Sequence, residues 1–516
     1  MTAAWRRAGH PSRVRRRELP VLLSALLLAA GCGGLRRGPT PPPAAPVPAD
    51  TTQAQQAAAQ PEQLPVGREA VEALRYPRLK FKAPAPSRFR LSNGVTVFYL
   101  YDPSLPLVDL LAEFRGGYAY LPRDRYAAAS AMASMLRTGG TQRLSPDSVD
   151  DLVEDYALNI TTASSGGRYL LAMNTLRQNL DVAFNLWVDM LLRPRFDPEQ
   201  VETWRTKELE AARRVPDFPG SLAVLEFNRV MFGDHPTGWM MQPSDLTPAK
   251  LSPAVMRATH REIFCPQNAV LGVAGDITES AARARLEAAF GHWAPCPSKL
   301  KEPTPPHIRH GRHVYVIQKD IPQSTVVVGD AGGVKMGDDR DYYSSRIANW
   351  ILGGGGFSSR LVQRLRTDEG LAYTAASVWG ASREHERIVG AITHTKAAST
   401  IEATRLILST MQDMRMQAPS DSDVALARES IVNGFVFSFS SPAQIVSRKM
   451  GLLLDDFPED WLSRYLHGVE AVTPGDVRTV MRRYVDPSQM VILIVGNVPA
   501  FDANPAVLGP VTELHP

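Results

Sequence analysis

Residues 251–277 read LSPAVMRATHREIFCPQNAVLGVAGDI, and residues 472–498 read VTPGDVRTVMRRYVDPSQMVILIVGNV. Both stretches predict a helix, a proline turn and a β-branched strand that ends at a glycine. Equivalent positions are separated by one constant offset, since 474 − 253 and 496 − 275 both equal 221. The matching residues are Pro253, Arg257, Pro266 and Gly275 in the first stretch and Pro474, Arg478, Pro487 and Gly496 in the second. Matches at a single offset without a gap predict a duplicated domain.

The segments before each copy have a common plan as well. Two strand patterns and a long helix pattern open the first half, at 94–101, 107–114 and 126–136, and the second half, at 313–320, 324–331 and 342–352. Strands combined with long helices in this way predict two α+β halves. The proline-rich stretch 295–306 is typical of a linker between them.

The N-terminus has the pattern of a bacterial export signal. Residues 1–32 combine a basic segment with a short apolar stretch, Leu19 to Ala30, and small residues before Cys32. This apolar stretch is shorter than the roughly 20 residues of a membrane-spanning helix. Small residues before a cysteine resemble a lipobox, which implies lipidation at Cys32 and an outer-membrane lipoprotein facing the periplasm. An ordinary signal peptide with an incidental cysteine is the alternative.

The composition of the remaining chain limits which structures and functions it can have. Residues 33–85 are rich in proline and alanine and predict a tether, because they contain too few large apolar side chains to form a core. The formal net charge of +4 includes the basic signal, so the mature chain is close to neutral and nothing indicates nucleic-acid binding. Two further cysteines, Cys265 and Cys296, are too few for a disulfide framework, and we expect them to remain unpaired.

A second informative stretch is LGGGGFSSRLVQRLRTDEGLAY, residues 352–373. Its four glycines predict a turn where backbone comes close to a ligand, and Ser358 or Ser359 can cap the helix that follows. The stretch resembles the second half of the insulinase/pitrilysin family of zinc metallopeptidases, which includes the mitochondrial processing peptidase. The resemblance implies that Arg366 and Tyr373 contact substrate at a metal site, with Gly353, Gly354, Gly355 and Gly356 beside it.

The same resemblance covers about residues 86–500 and implies a fold. We expect an α+β protein in which two homologous α/β-sandwich halves form a clam-shell. The implied organisation is a first peptidase-like domain at 86–294, a linker at 295–311, a second domain at 312–500 and a tail at 501–516.

The first half departs from the family at its zinc motif. Catalytic members carry His-x-x-Glu-His on a helix that runs into Gly-Thr, with two imidazoles as ligands and the glutamate beside the attacking water. Counting back from Gly140 and Thr141 places these positions at Ala131, Ser134 and Met135, none of which suits a hydrolytic zinc. The third ligand falls in 203–219, where Glu208 and Glu210 are lone carboxylates. We expect no metal in this chain.

No other catalytic site is evident from the sequence. The histidine cluster His307, His310 and His313 lies at the linker and indicates the solvated start of a strand. His235 and His260 are isolated in the sequence, and we expect each to pack against its neighbours with its hydrogen bonds satisfied. There is no G-x-S-x-G elbow, and the glycine run lacks the lysine of a phosphate loop.

Two functional hypotheses follow. In the first, this chain is inactive alone and is the non-catalytic subunit of a periplasmic heterodimeric zinc peptidase, supplying Arg366 and Tyr373 to peptide substrate bound at the zinc of a homologous partner. In the second, it is a lipid-anchored pseudopeptidase that serves as a peptide-binding or envelope scaffold protein.

Overall fold

The structure, a computed structural model, describes residues 85–515. The predicted signal peptide, Cys32 and nearly all of the predicted tether lie outside these residues.

The first half contains a six-stranded mixed sheet with the strand order β1-β2-β6-β3-β5-β4. Its strands are β1 (Ser87–Arg90), β2 (Thr96–Tyr101), β3 (Leu107–Arg115), β4 (Asn159–Ser164), β5 (Arg168–Leu176) and β6 (Ala269–Gly275). Its helices are α1 (Tyr126–Thr138), α2 (Pro146–Asp155), α3 (Leu180–Leu192), α4 (Pro198–Arg214), α5 (Pro219–Phe232), α6 (Pro253–Ile263) and α7 (Glu279–Phe290).

The second half repeats this sheet with the order β12-β7-β11-β8-β10-β9. Its strands are β7 (His313–Gln318), β8 (Gln323–Ala331), β9 (Ala372–Ala381), β10 (Glu386–Lys396), β11 (Val491–Gly496) and β12 (Val511–Glu513). Its helices are α8 (Arg340–Asn349), the short α9 (Arg360–Val362), α10 (Thr400–Met416), α11 (Asp421–Val436), α12 (Pro442–Leu454), α13 (Trp461–Ala471) and α14 (Pro474–Tyr484).

The predicted duplication is visible in the topology. In the first sheet β6 is parallel to β2 and antiparallel to β3, and in the second β11 is parallel to β7 and antiparallel to β8. The helix α6 and the strand β6 correspond to α14 and β11, which are the two copies of the repeated sequence. The expected fold class, two homologous α+β halves, is confirmed.

The outermost strand beside β2 or β7 differs between the halves. β1 precedes β2 in the chain and pairs with it antiparallel, whereas β12 follows β11 and pairs with β7 in parallel. The segment 501–516, expected to be a tail, therefore contributes a strand to the second sheet. β12 has only three residues, which is too short for a recognisable alternation of apolar and polar side chains.

The two halves exchange a helix. α5, from the first half, lies on the second sheet, where Leu222, Phe227 and Met231 are buried against side chains of β7, β8 and β11. α12, from the second half, lies on the first sheet, where Val446 and Met450 are buried against side chains of β2, β3 and β6. Each half therefore completes the core of the other, and the domain boundary expected near 295–311 does not separate the two cores.

A glycine lies beneath each exchanged helix. A Cβ atom on Gly272 of β6 would lie 2.5 Å from Val446 Cγ1 and 2.6 Å from Met450 Sδ. On the other sheet, a Cβ atom on Gly329 of β8 would lie 3.1 Å from Phe227 Cζ. The two glycines allow the helices to approach the sheets closely.

Two arginines of the first sheet bind the C-terminal end of α12. Arg168 donates hydrogen bonds to the Gly451 carbonyl and to the Asp455 carboxylate, and Arg115 donates to the Leu454 carbonyl and to Asp456. Cations at a helix C-terminus satisfy carbonyls that have no partner within the helix and interact favourably with its dipole.

The two cysteines of the described residues are paired, contrary to the expectation from the sequence. Cys265 and Cys296 form a disulfide, with Cα atoms 5.1 Å apart. The expectation that they stay unpaired was wrong because β6 and α7 return the chain to the end of α6. There the Cys296 amide also donates to Gln267 Oε1 at 2.8 Å. The disulfide attaches the start of the predicted linker to the first half.

The helix exchange predicts the effect of filling the space at Gly272. Gly272→Ala should lower the free energy of unfolding by about 1–3 kcal/mol, because the added methyl group displaces Val446 and Met450 from the sheet. Urea denaturation of the two proteins measures the difference. Gly434→Ala is the matched control, since nothing lies within 4 Å of its Cβ position and alanine favours the helix α11. A Gly272 variant as stable as the control would contradict close packing of α12.

Candidate functional site

The glycine-rich stretch forms a compact turn between α8 and α9. Residues Trp350–Gly354 make a π-helical turn, and Gly356–Ser358 make a 3₁₀ turn. Ser359 occupies the N-cap position of α9, but its hydroxyl donates to the Gly356 carbonyl at 2.6 Å and caps no amide of the helix. The expected serine cap is therefore absent at this helix, and the hydroxyl closes the preceding turn.

Packing explains two of the four glycines. A Cβ atom on Gly353 would lie 2.4 Å from the Ser377 backbone nitrogen of β9, and one on Gly355 would lie 2.8 Å from the Trp350 indole. Gly356 has a φ of 60°, a left-handed conformation that favours glycine, and its Cβ direction is open. The run brings α8 and α9 close to β9. Contact of these four glycines with a substrate stays a prediction.

Tyr373 stands at a β-bulge. His394 pairs with Thr374 and Thr395 pairs with Ala372, so Tyr373 is the additional residue on β9. A bulge redirects the side chain of the unpaired residue. The Tyr373 side chain is accordingly 73% exposed.

Arg366 lies between two exposed aromatic rings. It is part of a π-helical turn, Gln363–Asp368, that continues α9. Its Cζ atom is 5.2 Å from the ring centroid of Tyr373 and 4.8 Å from that of Phe357. Cation–π contacts of this kind hold a guanidinium in place and leave its hydrogen-bond donors available.

The neighbouring arginines are engaged, whereas Arg366 is not. Arg360 pairs with Asp423 at 3.3 Å and Arg364 pairs with Asp413 at 2.7 Å. Within residues 85–515, Arg366 has no ion pair and the Tyr373 hydroxyl has no hydrogen bond. The arrangement presents a guanidinium, which binds carboxylate or carbonyl oxygens, beside a phenol that can donate to a developing oxyanion. Phe357 is not among the residues predicted for the site, although its position directly after the glycine run was an available signal.

The positions that would carry a zinc motif lie on α1. Ala131 and Met135 are 0% and 1% exposed and belong to the core of the first half, and Ser134 is half-buried. Glu208, on α4, is half-buried, and burial raises its pKa, while Glu210 is exposed. The part of the chain that the structure describes contains no group of three or more histidine, cysteine, aspartate or glutamate side chains able to hold a metal. The residues at the motif positions therefore do not fit zinc.

Four of the histidines, His235, His260, His310 and His313, have structural partners, and one of these arrangements is unexpected. His260 is buried and bonds the Leu191 carbonyl through Nε2 at 2.9 Å, and burial lowers its pKa to about 4. His310 bonds Asp330, and His313, which begins β7, bonds Thr512. His235 was expected to be isolated, but its ring packs against that of His385 with centroids 5.7 Å apart.

These two histidines lie at a cavity with a volume of about 860 Å³. It is bounded by the segment Tyr118–Tyr120, the turn between β4 and β5, the helix α5 and the sheet surface of β9 and β10. Neither Arg366 nor Tyr373 lines it, and none of the zinc-motif positions does. The structure thus brings Arg366 and Tyr373 together but places them apart from this cavity.

Comparison with known proteins gives a consistent result. Residues 250–431 match the family model described as Peptidase M16 inactive domain. An uncharacterized zinc protease of Streptomyces coelicolor is 24% identical over 316 residues, covering 60% of this chain and 67% of that protein. A protein of Helicobacter pylori named as a non-peptidase homolog is 25% identical over 281 residues, covering 54% of this chain and 64% of that protein.

Solved structures share the fold. A peptidase M16 inactive domain from Pseudomonas fluorescens superposes with a TM-score of 0.71 and 20% identity, covering 84% of this chain and 100% of that one. The periplasmic protease PqqL from Escherichia coli has a TM-score of 0.68 and 14% identity, covering 82% of this chain and 48% of that one. The resemblance inferred from residues 352–373 is confirmed.

Among the residues described, no helix is long and apolar enough to cross a membrane.

The side chains on α1 predict the metal content of the protein. After purification and dialysis, the mature chain should hold no stoichiometric zinc, because the motif positions offer no ligand pair. Met135→His should bind none either, since a single imidazole still lacks the second ligand and the base. Elemental analysis of both proteins measures this, and one tightly held zinc per wild-type chain would contradict it.

Proposed function

We propose that this chain, which resembles the insulinase/pitrilysin (M16) peptidase family but lacks the family's zinc motif, is the non-catalytic subunit of a heterodimeric zinc peptidase. In this proposal a homologous partner carries His-x-x-Glu-His and holds the zinc. This chain contributes Arg366 and Tyr373 to the peptide bound at the partner's metal. The observation that carries the proposal is the pair itself, which is exposed, in mutual contact and without polar partners among residues 85–515.

The position of the pair favours a role in binding. An exposed arginine held between two aromatic rings loses little further side-chain entropy when it binds an oxygen of the substrate. A tyrosine at a bulge is directed away from the sheet and contributes little to the core. An exposed arginine and an exposed tyrosine contribute little to the stability of the fold. Both side chains are, however, placed where they can reach a ligand supplied by another subunit.

The core of the first half supports the non-catalytic part of the proposal. Ala131 and Met135 pack among apolar neighbours, so the helix that would carry the metal in a catalytic chain serves here as a core element. The chemistry of peptide hydrolysis is therefore assigned to the partner. This chain orients the substrate.

We place the complex in the cell envelope. The sequence pattern around Cys32 supports an outer-membrane lipoprotein, and one structural neighbour is titled a periplasmic protease.

Cys32→Ser should move the protein from the membrane to the soluble periplasmic fraction, because the proline-rich tether offers no apolar anchor. Fractionation followed by immunoblotting measures the change. An unaltered membrane association would refute the lipid anchor.

Substitution of the pair tests the function. Tyr373→Phe removes one hydroxyl and keeps the ring over Arg366, so folding and dimerisation should be unchanged. Loss of an oxyanion donor should reduce the rate of peptide hydrolysis by the reconstituted pair by about 10²–10³, or about 2–4 kcal/mol. Arg366→Ala should raise KM as well as lower kcat, because it removes substrate positioning.

Two matched variants control for indirect effects. Arg364→Ala changes an arginine in the same turn that is already paired with Asp413, and Tyr101→Phe changes an exposed tyrosine elsewhere. Both should hydrolyse peptide at the wild-type rate. If the Arg366 and Tyr373 variants form dimers and also cleave at that rate, the peptide-binding or envelope scaffold hypothesis becomes the better one.

A further inference from the structure

The cavity of about 860 Å³ lies between the two halves and has mainly apolar walls. The first half contributes aromatic and aliphatic side chains from the segment Tyr118–Tyr120 and from α5. The second half contributes the outer surface of β9 and β10. The apolar lining includes Val224, Phe227, Val378, Ile388, Ala391 and Ile392.

One cation in this lining has no partner. Arg387, at the start of β10, lines the cavity, and within residues 85–515 its guanidinium makes no ion pair and no hydrogen bond. Glu384 lies on the same rim and is exposed, but it makes no ion pair with Arg387. Gly380 makes room for the arginine, because a Cβ atom there would lie 2.6 Å from Arg387 Cβ.

A buried imidazole accompanies the arginine. His385 also lines the cavity, is 8% exposed, and its Nε2 makes no hydrogen bond to any residue described. Its backbone is fixed by Ser382, whose hydroxyl donates to the His385 carbonyl at 2.8 Å. Burial, followed by the charge of Arg387, lowers the pKa of His385 to about 4, so the ring is neutral at pH 7.

The adjacent histidine is fully engaged. His235 Nε2 bonds the Thr304 carbonyl at 2.9 Å, and its Nδ1 accepts a hydrogen bond from the Thr237 amide at 3.2 Å. Of the arginine and histidine side chains that line the cavity, Arg387 and His385 are therefore the two available to a ligand. Among the charged groups that act on His385, the cations Arg387 and Lys335 outnumber the single carboxylate of Glu384.

We propose that this cavity binds the free C-terminal carboxylate of an apolar peptide, with Arg387 as the cation and His385 as a second donor. A carboxylate accepts two parallel hydrogen bonds from a guanidinium, and it gains most where water is partly excluded. The apolar side chains of the peptide occupy the walls formed by α5, β9 and β10. The peptide source of the carboxylate rests on the proposed function, because a peptidase subunit meets peptide ends.

A pair of peptides tests the proposal with this chain alone. The full-length protein is titrated by calorimetry with acetyl-AALVF bearing a free carboxylate, with the same peptide as its C-terminal amide, and with sodium dodecanoate. The free acid should bind at least about tenfold more tightly than the amide, as expected for loss of a charge-assisted hydrogen bond. Dodecanoate should bind more weakly than the free-acid peptide.

Variants assign the effect to the cavity. Arg387→Gln should reduce affinity for the free acid to that of the amide, and Arg387→Lys should restore part of it. Arg383→Gln is the matched control, because Arg383 is on the same β9–β10 hairpin but bonds the Asp455 carbonyl and does not line the cavity. It should bind the free acid like the wild type. Circular dichroism melting curves verify that each variant is folded.

Each other outcome overturns the proposal. Equal binding of acid and amide, or an Arg387→Gln variant that still discriminates between them, removes the role of the carboxylate. Dodecanoate binding without peptide binding removes the peptide as the ligand. No binding of any probe by the folded protein removes the site. These results are distinct from a failure of the proposed function, which is measured as hydrolysis with a zinc-bearing partner.

Discussion

The fold depends on one constraint, which is that the central strand of each sheet has two buried faces and its own half covers only one of them. In β11, Ile492 and Ile494 point to the helices of the second half, whereas Val491, Leu493 and Val495 point to α5 of the first half. In the first sheet, Leu271 and Val273 of β6 face their own helices, and Val270 and Ala274 face α12. Separation of the halves would expose both outer faces together. The halves are therefore expected to behave as one cooperative unit.

The exchange also shapes the surfaces available for binding. α5 covers only part of the second sheet, and the uncovered part of β9 and β10 becomes the floor of the cavity that holds Arg387 and His385. Arg168 and Arg115 hold the end of α12 against the first sheet and fix the position of the opposite half. Arg366 and Tyr373 lie outside this arrangement, on a turn and a bulge where side chains point to solvent. Rigid packing and exposed binding groups are thus separated in space.

The absence of a zinc motif is part of the packing of the first half. Ala131 and Met135 contribute to a continuous apolar core around α1, and the neighbouring side chains fit their volumes. A buried imidazole at either position would need a metal or a hydrogen-bond partner to offset its loss of water. The helix therefore has a structural role in this chain, and the substrate contacts that we propose are the exposed Arg366 and Tyr373 of the second half.

The sequence by itself determined the duplication, the α+β halves and the family resemblance, because periodicity and short motifs report on residues close together in the chain. Only the tertiary structure decided the exchange of α5 and α12, the Cys265–Cys296 disulfide and the pairing of β12 with β7. It alone placed Phe357 against Arg366, and His385 and Arg387 in the cavity. An apolar helix face shows that it must be buried but not against which sheet. That choice depends on contacts between residues far apart in sequence, which local patterns do not encode.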